Sequence, residues 1–110
     1  MGWNNTETLT VTIATDDDRT NSTMLGDRER GSVQTPASLT STTIEFEVSN
    51  DDTTWDVARD DNDAAIGTKT VAVDKLYNIP AEVFKSRFMR IKTGSGEAAD
   101  RNFIVSLGGN

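Results

Sequence analysis

The chain has 110 residues, with 18 acidic against 11 basic side chains, a net charge of -7, 35% hydrophobic residues, and neither histidine nor cysteine. That length supports one domain that buries about 60–70% of the surface its unfolded form exposes. The missing histidine and cysteine exclude Ser–His and Cys–His nucleophile pairs, thiol redox chemistry and the usual zinc sites, so the composition points away from an enzyme. The negative balance repels a phosphate backbone, and no cationic stripe of the kind nucleic acids require is present. The opening Met1-Gly2-Trp3-Asn4-Asn5-Thr6 has neither the basic nor the apolar stretch of a signal peptide, and no apolar run is long enough to span a bilayer. The expectation is a soluble protein made in a cytoplasm, with no nucleic-acid or membrane partner.

In chain order, Leu9, Val11 and Ile13 alternate with Thr8, Thr10 and Thr12. A period of two built from β-branched residues predicts a half-buried strand with a threonine-covered outer face. The segment from Asn21 to Ser41 has no sustained period and reads as a long excursion with one short strand near Met24. Ile44, Phe46 and Val48 alternate with Glu45 and Glu47 in a second clear strand. Trp55 with Val57 predicts a third, Thr70–Val73 a fourth, Phe88–Thr93 a fifth, and Phe103, Val105 and Leu107 a sixth. Pro80–Phe84 reads either as one helical turn, proline suiting a first helical position, or as a connecting loop.

Turn clusters separate these strands, which predicts an all-β fold: a single antiparallel jelly-roll-like β-sandwich. Residues 1–6 form an N-terminal arm, 7–107 the sandwich and 108–110 a C-terminal tail. The expected core is Leu9, Val11, Ile13, Ile44, Phe46, Val48, Trp55, Met89, Ile91, Val105 and Leu107.

The aspartate clusters at Asp16–Asp18 and at Asp60, Asp61 and Asp63 offer oxygen ligands for calcium. They lack the sixth-place glycine and twelfth-place glutamate of an EF-hand loop and read as solvated turns, with a calcium site shared between two loops as the alternative. No metal or cofactor is assigned, and no pair of the 18 acids is fixed at a separation suited to glycoside hydrolysis. Arg90 and Lys92 fall on one sheet face, where they match Glu45 and Glu47 if the two strands pair.

Phe46-Glu47-Val48-Ser49-Asn50-Asp51-Asp52-Thr53-Thr54-Trp55, with Phe84-Lys85-Ser86-Arg87-Phe88-Met89-Arg90-Ile91 downstream, resembles the pattern of discoidin-type, galactose-binding-like jelly rolls. The turn carries Asp51-Asp52 where that pattern has Asp-Gly. Thr35-Pro36-Ala37, Tyr77-Asn78-Ile79-Pro80, Val83-Phe84 and Ala99-Asp100-Arg101 resemble small β-sandwich virion proteins of tailed bacteriophages. That resemblance implies a structural virion protein, a capsid decoration or cement protein on the capsid exterior, bound to the major capsid (coat) protein and stabilising the shell. The competing implication is a carbohydrate- or receptor-binding module of a head fibre or tail, for which Trp3, Tyr77 and Trp55 are the available tryptophan and tyrosine platforms.

Exposed edge strands and the avidity of a shell-stapling protein lead to an expected homodimer on a two-fold axis, or a trimer on a three-fold. The candidate partner-binding residues are Trp3 with its neighbours Asn4 and Asn5, and a loop carrying Met24, Leu25, Arg28 and Arg30. Trp3 either anchors a partner or folds back over its own sandwich.

Overall fold

Threonine alternation in strand β1 (Thr6–Ile13) sets one face against the core and the other toward solvent. The computed structural model describes residues 6–66 and 68–109. After β1 come β2 (Thr23–Met24), β3 (Arg30–Gln34), β4 (Thr43–Ser49), β5 (Asp56–Val57), β6 (Thr68–Thr70), β7 (Leu76–Asn78), a 3-10 turn (Ala81–Lys85), β8 (Phe88–Thr93) and β9 (Arg101–Gly108). Among the described residues no helix is long and apolar enough to cross a membrane.

The first sheet has the order β1-β9-β3-β7 and the second β2-β8-β4, with β5 and β6 both along the far edge of β4. Strand β5 pairs with Glu47 and Val48, and β6 with Thr43 to Glu45, so the two act as one interrupted strand. Taken that way, eight strand positions are divided four and four between two antiparallel sheets in the order of a jelly roll. The fold is an antiparallel β-sandwich. The β1–β9 register runs from Thr6↔Gly108 to Ile13↔Arg101, one residue past the expected domain limits at each end.

Val11, Ile13, Val33, Phe103, Val105 and Leu107 from the first sheet meet Ile44, Phe46, Met89 and Ile91 from the second. Connecting segments add Leu25, Ala58, Val71, Ile79 and Val83. A side chain such as Phe103 contributes about 3–5 kcal/mol by its burial and packing, a large share of a small domain's stability. Three expected core residues are corrected: Leu9 and Val48 only flank the core, and Trp55 is half-buried on the outer side of the second sheet. Burial falls along β1 from Ile13 and Val11 toward Thr6, and Leu9 lies on the less buried side.

Strand β3 has the least legible sequence and a central place, between β9 and β7. Its inward positions are Gly31 and Val33. A Cβ on Gly31 would stand 2.7 Å from the Ser106 carbonyl oxygen and 3.1 Å from the Phe84 ring, so the 3-10 turn fills the inner face where β3 has no side chain. Val83 of that turn is fully buried, which settles Pro80–Phe84 as a helical turn.

Four non-glycine residues among those described have positive φ, and all are aspartate: Asp16 (71°), Asp52 (61°), Asp63 (66°) and Asp74 (54°). Aspartate tolerates this left-handed conformation better than most residues because its side chain bonds the local backbone. Asp52 therefore takes the role of the glycine in an Asp-Gly turn. Likewise Asp60 Oδ1 accepts the N–H groups of Asn62 and Ala64 at 2.9 and 3.0 Å. The aspartate clusters are turn chemistry.

One carboxylate sits inside. The Glu97 side chain is fully buried; it accepts the N–H groups of Thr40 and Ser41 at 2.8 and 3.1 Å and pairs with Arg101 Nε at 3.0 Å. It clamps the segment before β4 onto the connection between β8 and β9. Burial alone would raise its pKa, but the Thr40 N–H, Arg101 and the Ser41 N–H together hold it below its ordinary value.

Candidate binding surfaces

The outward positions of the first sheet fall in register across its strands. Thr8, Ser106, Ser32 and Asn78 form one row, and Thr10, Ile104, Gln34 and Leu76 the next. Four strands at about 4.8 Å spacing make each row about 14 Å long. Because Ser32, Ser106 and Gly108 are small, the middle of this face is hollowed into an open trough of about 510 Å³, lined by Thr6, Thr8, Arg30 and Asn78 and also by Glu7 and Glu29. Thr12 donates a hydroxyl hydrogen bond to Asn102 at 2.7 Å, whereas Thr8 and Ser106 stand 3.5 Å apart.

No carboxylate occupies an outward strand position on this face; among the described residues Arg30 is the one charged residue at those positions. Leu76 and Ile104, 68% and 41% exposed, lie in the same row. Apart from Arg30, its outward positions are uncharged, hydroxyl-rich and partly apolar.

The second sheet is the reverse. Its register sets Glu47 opposite Arg90 and Glu45 opposite Lys92, so the two strands pair as the shared charged face allowed. Arg90 Nε meets Glu47 Oε1 at 2.7 Å, while Lys92 turns to Asp18 at 3.5 Å and leaves Glu45 beside Thr68. The Arg90 guanidinium also lies over Trp55, 4.3 Å from the ring centroid. Trp55 follows a turn in which Asp51 Oδ1 accepts the N–H groups of Thr53 and Thr54 and the hydroxyl of Ser49. These bonds to the Thr54 and Thr53 backbone, with that from Ser49, lower the Asp51 pKa to about 2.

Of the residues expected to bind a partner, Trp3, Asn4 and Asn5 lie outside the described residues. Met24 is 70% exposed on β2, at the edge of the second sheet. Leu25 is corrected: at 1% exposure it belongs to the core and is unavailable to a partner. Arg28 is half-buried and bridges Glu7 and Asp27 at 3.4 and 3.5 Å. Arg30 faces outward from the first sheet. The expected loop is therefore a crossing between sheets, which sends Met24 and Arg30 to different faces.

The sugar platforms divide as well. Tyr77 is half-buried beneath Lys69, and its hydroxyl oxygen accepts the Ala72 N–H at 2.8 Å, so it offers little free surface. Trp55 opens onto a cleft.

The trough could be found only in part from sequence. The threonine stripe of β1 is legible, but its alignment with Ser106, Ser32 and Asn78 depends on β9 and β3 being neighbours. Leu76, the most exposed apolar residue of this face, stands in a strand too short to show a period.

No known protein family and no curated protein matches this chain. Among solved structures it is similar to the SPBc2 prophage-derived protein YomS, with a TM-score of 0.63 and 11% identity over 93% of each chain. Fainter likenesses are to the cupin domain of Schizosaccharomyces pombe Cnp3 (TM-score 0.45, 9% identity, 96% of this chain and 54% of that one) and to the Yersinia pseudotuberculosis-derived mitogen (0.43, 17%, 96% and 86%). At such identities a likeness concerns the fold, and the chain shares its sandwich with a prophage-derived protein.

Proposed function

We propose that this chain is a structural protein of a bacteriophage virion, a capsid decoration protein that attaches to the coat shell through the outer face of its first sheet and stabilises it. The observation that carries this reading is that, on a protein of net charge -7, no outward strand position of this face holds a carboxylate, Glu7 and Glu29 entering only the lining of the trough. An acidic domain approaches another surface with least repulsion where its strands present the fewest carboxylates. Leu76 and Ile104 supply apolar contact there, and the neutral hydroxyls and amides around them form hydrogen bonds at low desolvation cost. The likeness of fold to a prophage-derived protein supports the same reading. Thr6 lines one end of the trough, and the chain before it, with Trp3, belongs to the same proposal as an additional anchor.

Self-association uses the free edge of β1. Asn21 Oδ1 accepts the Thr12 N–H at 3.1 Å and Ile13 bridges Thr20, which closes one end of that edge and leaves Thr6–Thr10 open. Antiparallel pairing of this segment with a second copy, centred on Thr8, sets threonine against threonine and Glu7 against Leu9, with no like charges opposed. Thr8→Pro removes a donor at the centre of that edge. The expected result in sedimentation velocity is a monomer where the wild type is a dimer.

The reading is tested on purified virions. The chain is expected in many copies on the heads, released by mild denaturant with the shells intact, and able to rebind bare heads in a saturable way. Its absence from heads, or presence at one or a few copies, contradicts the proposal.

A further inference from the structure

The second sheet carries a cleft that capsid attachment does not use. Its volume is about 320 Å³, at the small end of ligand pockets and suited to a single ring rather than an extended chain. Trp55 lines it together with Asn50, Asp51, Asp56 and Ser86. We infer that this cleft binds one neutral pyranose, with the Trp55 indole against the apolar C–H face of the sugar and Asn50, Asp51 and Ser86 hydrogen-bonding its hydroxyls.

Three observations carry the inference. The indole is held before any ligand arrives: the Arg90 guanidinium lies over its ring, and Glu47 fixes that guanidinium at 2.7 Å. A tryptophan with little freedom left to lose is a low-cost platform for an apolar ring face. The turn that delivers it is locked by three bonds to Asp51 Oδ1, which leave Oδ2 as an acceptor for a sugar hydroxyl. Finally, the side chains of Asn50 and Ser86 have no protein partner among the described residues, although both line the cleft.

Asp51 and Asp56 define the class of sugar. Both carboxyl pKa values are lowered, Asp51 by the backbone of Thr54 and Thr53 and Asp56 by Arg59, so the cleft is anionic at neutral pH. It rejects sialic and uronic acids and accepts hexoses and N-acetylhexosamines, whose hydroxyls donate to carboxylates.

The test is titration of the full chain, carrying Trp3→Phe so that Trp55 is the sole indole, with methyl glycosides of glucose, galactose, mannose and N-acetylglucosamine and with glucuronate. Two-dimensional NMR follows the Trp55 indole N–H. At least one neutral glycoside is expected to shift that resonance in a saturable way at millimolar concentrations, and glucuronate to leave it unmoved. Asn50→Ala, which touches no core side chain, is expected to weaken binding about tenfold, and Trp55→Ala to abolish it as followed by the neighbouring backbone amides. The inference is overturned if no neutral glycoside moves Trp55 at tens of millimolar, if glucuronate binds equally well, or if Asn50→Ala changes nothing.

Discussion

The two outer faces of the sandwich differ in how their polar groups are used. On the second sheet Arg90 and Glu47 are each largely covered, 17% and 14% exposed, and each completes the other, while Lys92 is neutralised by Asp18. On the first sheet the outward strand positions are uncharged apart from Arg30, and Ser32 and Asn78 have no side-chain partner among the described residues. The lesson is that charged side chains at high density can be used up on one another within the fold. On the charged face Arg90 with Glu47 and Lys92 with Asp18 are paired, while Glu45 reaches only Thr68, whereas the first sheet offers hydrogen-bonding groups without a side-chain partner beside exposed Leu76 and Ile104.

Glu97 sharpens the contrast by setting its extreme, a charge whose partners are wholly internal. Glu97→Ala removes that charge from Arg101 and from two backbone N–H groups, with an expected loss of about 3–5 kcal/mol in denaturant unfolding. Because its folded pKa lies below the ordinary 4.5, its contribution is present above that value and lost as pH falls through the folded pKa. Wild-type stability is therefore expected to drop below about pH 4.5. Glu97→Gln should be less stable at neutral pH and should show a shallower acid loss.

The face of the first sheet is broken most directly by charge. Leu76→Asp with Ile104→Asp is expected to reduce head binding about a hundredfold, near 3 kcal/mol, measured by co-sedimentation with bare capsids. Unfolding should change by no more than about 0.5 kcal/mol, since both side chains are exposed. The opposite pattern is expected from Arg90→Ala on the charged face: about 2 kcal/mol of stability lost with the Glu47 pair and the Trp55 contact, and unaltered head binding. The smallest effect lies in a turn. Asp52→Gly relieves the left-handed strain at φ 61° and should stabilise by about 0.5 kcal/mol, part of the gain being offset by greater freedom in the unfolded chain.

The strands legible in the sequence are those whose own side chains decide their placement. Alternation in β1, β4, β8 and β9 located each to within a residue or two, because one inner face of every strand meets the opposite sheet. The others depend on neighbours. Strand β3 is shaped by the Phe84 ring over Gly31, and β7 by its pairing with β3, so neither carries a period of its own. Strand β6 begins at Thr68, before the expected Thr70–Val73, because only Val71 of that run turns inward while Val73 remains 40% exposed. Trp55 was expected in the core because it follows a core strand, but the locked Asp51 turn delivers it to the outer face, where Arg90 supplies the stacking partner. Alternation showed that Arg90 and Lys92 share a face that could meet Glu45 or Glu47; which pairs with which depends on the β4–β8 register. The trough was not legible, since four strands distant in sequence each contribute one ordinary polar residue.

Side-chain oxidation footprinting of the chain on intact heads, compared with the free protein, reads the attachment face directly. Attachment through the first sheet predicts that Leu76 and Ile104 become protected while Met24 and Trp55 keep their reactivity. Protection of Met24 and Trp55, with Leu76 and Ile104 as reactive as in the free protein, would place the contact on the opposite sheet and contradict it.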